Sequence, residues 1–579
     1  MSRLLDSPRA LPAALALGLI LALPALGVGL VNDDLLHRAA LAGIIEDYQR
    51  GPTELYDFMG TEIIPEARER GLLPWWTNDD LSVRFFRPTS SALLALDATL
   101  FGRASLPAHA HSVLWFLALL LVVGLLYRRV LPRRSASAAI FVYAVAGAHG
   151  IPLAWLAARH VVVTAVFGLV ALLLHLRARQ DGWWPGRLLS PLALAVALTA
   201  GESALGSAAL ILFFELLRRD EPLVVRLRAV APTVLLVAGY LLLYLAAGYG
   251  SHGSGAYVNP LANPVDFLAA ATTRVPALVA ETLGALPSVL YTGVPEARIA
   301  LALLGVLAIL TTVVVLRAAW HRLDPRERSA LPWLLAGCLA ALLPVSAAVI
   351  GGRLLTVALV GGSALVGVLL VRLWGLAAES GALRRRLLQA FVVVMLLAHF
   401  VLGPTVRVGT AIVLAGLSEE QWRIGREAQV ACLGEVVLVN GADPSINHYA
   451  FVAAALSGAE VPRTVRVLLI APQALRIEDV DETGFELLVV GERRPNEWER
   501  VVTDRLPRAG DRVELDGFRA DVLESTELGP TRVRFDFGRP LDSADLCFVQ
   551  WRGGRIRPLP APRSGQVVLL PYELGPMGI

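Results

Sequence analysis

The sequence predicts a polytopic α-helical membrane protein over residues 1–402 followed by an extracytoplasmic α+β domain over 403–579. Three observations predict it. Of the 579 residues, 55% are hydrophobic and only 17% charged, with a mean hydropathy of +0.60, far from a soluble globular average. Long apolar runs recur through the first two thirds, separated by loops that are alternately basic and not basic. From about Gly403 the pattern changes to short, charged, alternating segments.

The apolar runs are about 17 to 22 residues long, the length that crosses a hydrocarbon core. About eleven are legible: Leu11–Val31, His111–Tyr127, Ala136–Trp155, Val161–Leu176, Leu188–Ala200, Ser203–Leu217, Val230–Ala247, Ile299–Leu316, Leu331–Ile350, Leu354–Val371 and Leu387–Leu402. The two flanking Gly201 are short. The chain contains no lysine, so arginine alone orients these spans, and the formal charge of +3 is a small difference between large totals that says little about partners. Arg3 and Arg9 precede the first run; Arg128 to Arg134, Arg177 to Arg187, Arg218 to Arg228, Arg317 to Arg328 and Arg384 to Arg386 mark every second loop. Short basic loops stay cytoplasmic, so the N-terminus is expected inside a bacterial-type inner or plasma membrane. Loops 32–108 and 248–297 and the C-terminal domain are then expected outside. The first run is too long for an ordinary signal-peptide core and lacks a clear cleavage site, which favours a span.

That first run stops on Asn32-Asp33-Asp34, and Asn78-Asp79-Asp80 repeats the pattern within loop 32–108. A polar stop at the membrane boundary is the plain explanation; a site at the boundary is the alternative. The same loop carries amphipathic patterns over Leu35–Tyr48 and Thr89–Phe101, which predict helices lying along the interface, and the pair Trp75-Trp76. Such a loop suits chemistry on a lipid-bound substrate.

In the C-terminal region, RVEL at Arg512–Leu515, TRVRFDF at Thr531–Phe537, DLCFVQW and QVVLL alternate like strands. VVLVNGADPSINHYAFVAAAL reads as strand, turn and helix; its Asn440, Asp443 and His448 fit turn and cap chemistry. Cys338, Cys432 and Cys547 form no metal or redox motif, and at most Cys432 and Cys547 could pair.

Four stretches of the membrane part, in order, resemble the GT-C class of membrane glycosyltransferases, most nearly the protein O-mannosyltransferases, including the transmembrane tetratricopeptide kind. They are NDD after the first span, FFRPTSSALLALDATLFGRASLPAHAHSVLWFLALLLVVGLL, HGIPLAWLAARHVVVTAVFGLVALLLHLRAR, and GGRLLTVALVGGSALVGVLL. GESALGSAALILFFELL is a weaker match, with Gly201-Glu202 where that family often shows Lys-Glu. The chain lacks the Pro expected after His149 and has no tetratricopeptide repeat, so mannose and a protein acceptor do not follow.

The resemblance implies transfer of a sugar from a polyprenyl-phosphate donor in the membrane to an acceptor of unspecified kind at the outer face. Inverting transfer needs a carboxylate base and cations on the leaving phosphate. Asp33 or Asp34 is expected as base, and Arg353, Arg159 and Arg87 as phosphate ligands, since each falls at an outer end of a span. Glu202, His149, His160, Asp79 and Asp80 are expected around the substrate, the second acidic pair with the option of a divalent cation, although no ligand set demands a metal. No nucleic-acid partner is expected. Two other classes explain many spans: a transporter or lipid flippase, disfavoured because acids gather at span ends and no repeat of the spans is detected, and a non-catalytic assembly protein whose outer domain binds a partner.

Overall fold

The computed structural model describes residues 2–44, 50–218, 220–428 and 432–578. Among the described residues eight helices are long and apolar enough to cross a membrane, up to nine if the bent pair Arg133–Val145 and Gly147–Ala154, broken by 49°, counts as one span. Helices Gly186–Ala200 and Ala204–Leu217 fall short of that length. These are the two runs around Gly201, so every expected run is helical, but two are too short to cross on their own. The chain is an integral membrane protein.

The spans are unevenly buried. Leu156–Gln180 and Ala358–Ala378 run through the middle of the bundle, whereas Leu223–Ala246 and Ala297–Arg322 expose most of their apolar surface, as lipid-facing helices do. Loop 248–297 is more than a connector: Pro264–Gly284 is a long helix packed against Ala297–Ala319. The last span also overruns its expected end. Ala382–Leu397 continues through a π-turn at Ala398–Leu402 into Gly403–Glu427, so the expected boundary at 403 lies inside one helical run and the first strand of the α+β domain begins at Glu435.

That domain has two sheets. Glu435–Asn440 pairs in parallel with Thr464–Leu469 on one side and Leu546–Arg552 on the other, with Arg555–Leu559 closing an edge. Both faces of Glu435–Asn440 are buried, as its near-continuous apolar run requires. The antiparallel sheet holds Leu475–Glu478, Gly484–Val489, Arg512–Leu515, Phe518–Thr526, Gly529–Asp536 and Val568–Leu570. Cys432 and Cys547 form a disulfide across 115 residues.

Loop 32–108 is built into this domain. Trp75 and Trp76 donate their indole N–H to Leu468 O at 2.9 Å and Glu499 O at 3.2 Å and lie in the domain's core, so they anchor the loop rather than face lipid. Helix Asp33–Leu41 buries Leu35 and Ala39 against Val452, Ala453 and Leu456, which replaces the expected interfacial placement; Ile45 to Tyr48 of that expected helix lie outside the described residues. Helix Pro88–Phe101 leaves Leu96 and Leu100 exposed, in keeping with an interfacial helix. Strands Asp57–Met59, Ser82–Arg84 and Gly250–His252 form a small sheet that ties the two long loops together.

Candidate functional site

The acidic turn begins with a strained residue. Asn32 sits at φ 52°, ψ −123°, a conformation that costs an L-residue of order 1–3 kcal/mol unless the surroundings impose it. They do. The Asn32 N–H donates to Gln421 Oε1 at 3.0 Å, and Gln421 Nε2 donates to Asn32 Oδ1 at 2.7 Å and to Ser445 Oγ at 2.9 Å. Gln421 lies on the last helical run and Ser445 in the α+β domain, so one buried amide fixes the turn to both.

The two carboxylates that follow differ sharply. Asp34 is buried and accepts backbone N–H groups from Val31 at 3.2 Å, Leu156 at 3.4 Å and Ala157 at 2.7 Å. It staples the first span to the segment entering Leu156–Gln180. Burial pushes its carboxyl up to about 7, against the amide hydrogen bonds that favour the anion. Asp33 is only half-buried. Its Oδ1 accepts the Tyr449 hydroxyl at 2.8 Å, and Oδ2 receives no hydrogen bond among the described residues. Burial raises its carboxyl above the usual range, while Tyr449, Arg353 and Arg87 pull it down. Of the pair, Asp33 is the one with a free basic oxygen.

Arg353 faces that carboxylate. Its guanidinium donates to Val349 O at 3.1 Å and has no carboxylate partner within ion-pair distance among the described residues; its electrostatic neighbours are Tyr257, Asp33 and Arg87. The two glycines before it are not equivalent. A Cβ on Gly352 would stand 2.9 Å from the Ala148 Cα and collide with Glu281, whereas one on Gly351 would meet only the Arg353 guanidinium at 3.7 Å. Gly352 is small so that the Arg353 turn can lie on the broken hairpin at Ala148.

Arg87 joins the same pocket, already paired: its guanidinium holds Glu202 Oε2 at 2.8 Å and lies 3.2 Å from His160 Nε2 and 5.0 Å above the Tyr56 ring. Tyr244 donates to the other Glu202 oxygen at 3.3 Å. Glu202 therefore neutralises Arg87, whereas Arg353 has no such carboxylate partner among the described residues. His37, one turn after Asp33, is buried and stacks on Phe58.

The structure thus brings together Asp33, Arg353, Arg87, Glu202 and His160. It sets four expected residues apart. Arg159 is 2% exposed and bound by Asp97 at 2.6 Å, Ser112 Oγ at 2.8 Å and Ala108 O at 2.8 Å, which leaves its fork no open side for a phosphate. His149 is fully buried between Phe116 and Tyr143, its Nε2 3.0 Å from Tyr143 O, a core histidine. Asp79 is exposed and paired with Arg68 at 2.5 Å; Asp80 donates its N–H to Asn78 Oδ1 at 2.9 Å in a turn tied to Asp504 through Asn78. That second acidic pair belongs to the seam between loop and α+β domain. Among the described residues no three His, Cys, Asp or Glu side chains converge as a metal set, and the two acidic pairs do not join to make one.

Several residues escaped the sequence. Asp97 is a lone acid in LLALDATLF, the one charged residue of helix Pro88–Phe101. Tyr449, Tyr257 and Gln421 carry no local signal. Asn440 and Asp443 serve the turn: Asn440 bonds Gln473 O and the Ala471 N–H, and Asp443 accepts from the N–H groups of Ser445 and Met577, both at 2.8 Å.

No family model and no curated protein matches the chain. Among solved structures, the oligosaccharyltransferase of Archaeoglobus fulgidus tethered to an acceptor peptide is 13% identical with a TM-score of 0.42, over 79% of this chain and 64% of that one. The same organism's oligosaccharyltransferase AglB in complex with an inhibitory peptide and a dolichol-phosphate is 14% identical with a TM-score of 0.41, over 79% and 65%. The aligned region thus spans just under two thirds of the length of these proteins.

Proposed function

We propose that the chain is a GT-C type glycosyltransferase that moves a sugar from a polyprenyl-phosphate-linked donor to an acceptor hydroxyl or amide at the outer membrane face, with Asp33 as general base. The observation that carries this reading is a carboxylate with one free oxygen opposite an arginine without a carboxylate partner, at the end of a span. An ion pair would have closed the gap; leaving both groups open suits a ligand that brings its own anion and its own proton.

In this reading the donor phosphate lies on Arg353, whose planar fork matches phosphate oxygens. The acceptor attacks the anomeric carbon from the side of Asp33, its proton passes to Oδ2, and the bond from carbon to phosphate oxygen breaks with its electron pair on the phosphate. Inversion at that carbon follows from attack opposite the leaving group. Glu202 and His160 hold Arg87 in place, and its charge adds to the field on the phosphate. The polyprenyl chain stays among the lipid-facing helices.

Binding of polyprenyl phosphate by the purified protein in lipid nanodiscs tests the assignment. Arg353→Ala and Arg353→Lys are both expected to weaken it, because lysine supplies charge without the fork. Unchanged affinity in both variants would remove the basis for a lipid-phosphate donor and favour a non-catalytic role.

A further inference from the structure

Tyr449 belongs to the α+β domain, yet its hydroxyl donates to Asp33 Oδ1 at 2.8 Å, 416 residues away in sequence. It sits at the end of the π-turn Ser445–Tyr449, whose first residue is also held by Gln421, the amide that fixes Asn32. The turn is anchored from below as well: Asp443 accepts the Ser445 N–H and, on its other oxygen, the Met577 N–H from the C-terminal segment. Two separate threads therefore run from one turn of the α+β domain to two successive residues of the acidic turn. A domain attached only for tethering has no need of either.

We propose that the α+β domain completes the active site, with Tyr449 as a positioning residue that engages Oδ1 of Asp33 and so presents Oδ2 as the basic oxygen. The inference rests on the reading of Asp33 as base. A carboxylate that can rotate offers either oxygen and two proton-accepting geometries; one donor on Oδ1 selects a single orientation before substrate arrives, which is the kind of preorganisation that transition-state chemistry rewards. The hydrogen bond also favours the ionised form, the form a base must have. The other charged or titratable groups facing Asp33 are Arg353 and Arg87, which also favour ionisation, Asp34, which opposes it, and the neutral phenols Tyr56 and Tyr257.

Tyr449→Phe keeps the ring and removes only the donor. Its effect is read in the full-length protein in nanodiscs by pH-difference infrared spectroscopy, with the Asp33 carboxyl band identified by its loss in Asp33→Asn. Losing a hydrogen bond to a charged group is expected to raise the midpoint of that band by about one to two pH units. Hydrolysis, with water as the acceptor, of polyprenyl phosphate carrying labelled mannose, glucose or galactose is expected to fall about 10- to 100-fold at a pH below both midpoints and to recover as pH rises, a rescue that Asp33→Asn cannot show. An unmoved band, or a loss of rate uniform across pH, overturns the positioning role and leaves Tyr449 a packing contact. If Asp33→Asn transfers sugar like the parent, the base assignment itself falls and takes the inference with it. If Asp33→Asn is inactive while Tyr449→Phe titrates like the parent, only the inference falls.

Discussion

Replacing Arg159 tests its assignment as a structural cation. Its guanidinium and the Asp97 carboxylate are each 2% exposed and 2.6 Å apart, and Asp97 also accepts from His111 at 2.8 Å. Removing one member of a buried pair leaves the other charged without compensation and costs about 3–5 kcal/mol. Asp97→Ala is expected at the upper end, because it strands Arg159 in the bundle. Arg159→Ala is expected at the lower end, because His111 can still answer the Asp97 charge, although the bonds to Ser112 and Ala108 are lost as well. The paired change to apolar residues of similar volume, Asp97→Leu with Arg159→Met, is expected to be much milder than either single change, since both desolvation penalties disappear together. Unfolding by denaturing detergent in mixed micelles measures all three, and polyprenyl phosphate binding is measured alongside. Burial pushes the Asp97 carboxyl up, but His111 and Arg159 outweigh it and hold the group below its ordinary 3.8. The pair's contribution is therefore complete above that pH and is lost as pH falls further. Should Arg159→Ala unfold like the parent yet lose phosphate binding, the structural assignment is refuted and Arg159 returns to the donor site.

Asp33→Asn is expected to lower transfer by about two to four powers of ten with stability little changed, as loss of a general base does; Asp34→Asn is expected to weaken folding, because an amide nitrogen would face backbone donors. The folded state holds a proton on Asp34 that the unfolded chain releases between pH 3.8 and about 7, so stability should decline as pH rises through that window, and Asp34→Asn should flatten the decline in a pH series of thermal midpoints. Gly352→Ala should disrupt the Arg353 turn and reduce phosphate binding, while Gly351→Ala should be tolerated, since its Cβ makes only an ordinary contact. A tag after Ile579 should be accessible in intact cells and a tag in the Arg128–Arg134 loop protected; the reverse pattern would overturn the placement of Asp33 at the outer face.

Hydropathy exposed most of this fold because lipid imposes a length and a polarity on every span. It also misled where tertiary packing replaces lipid. The pattern of Leu35, Leu36 and Ala39 is the same whether a helix lies on a membrane or on Val452 and Leu456, and nothing in Trp75-Trp76 itself points to Leu468 and Glu499, which accept from its indoles. Arginine is ambiguous for a related reason. Arg353 and Arg159 stand at similar positions relative to their spans, and only the partner, a distant acid on another helix, decides which is free. Asp97 could have been noticed as the one charged residue of helix Pro88–Phe101, but nothing local points from it to Arg159.

The opposite fates of Asp33 and Asp34 follow from one rotation along a helix. Successive residues of a helix point about 100° apart, so adjacent acids cannot share a face. Asp34 turns inward to the N–H groups that open the Leu156 segment, and Asp33 turns toward Arg353 and Tyr449. The strained Asn32 sets where the helix begins, hence which acid faces which way, and Gln421 holds that start against its tendency to relax. Gln421→Ala should therefore act on turnover through a residue it does not touch: with the amide gone, the Asn32 backbone loses its clamp, the helix start can shift, and Asp33 loses its fixed relation to Arg353. A fall in transfer with phosphate binding retained is the expected result, because Arg353 is held from Gly352 and Val349, independently of Gln421. Loss of both together would mean instead that Gln421 supports the whole bundle, and the acidic turn would not be the element it controls.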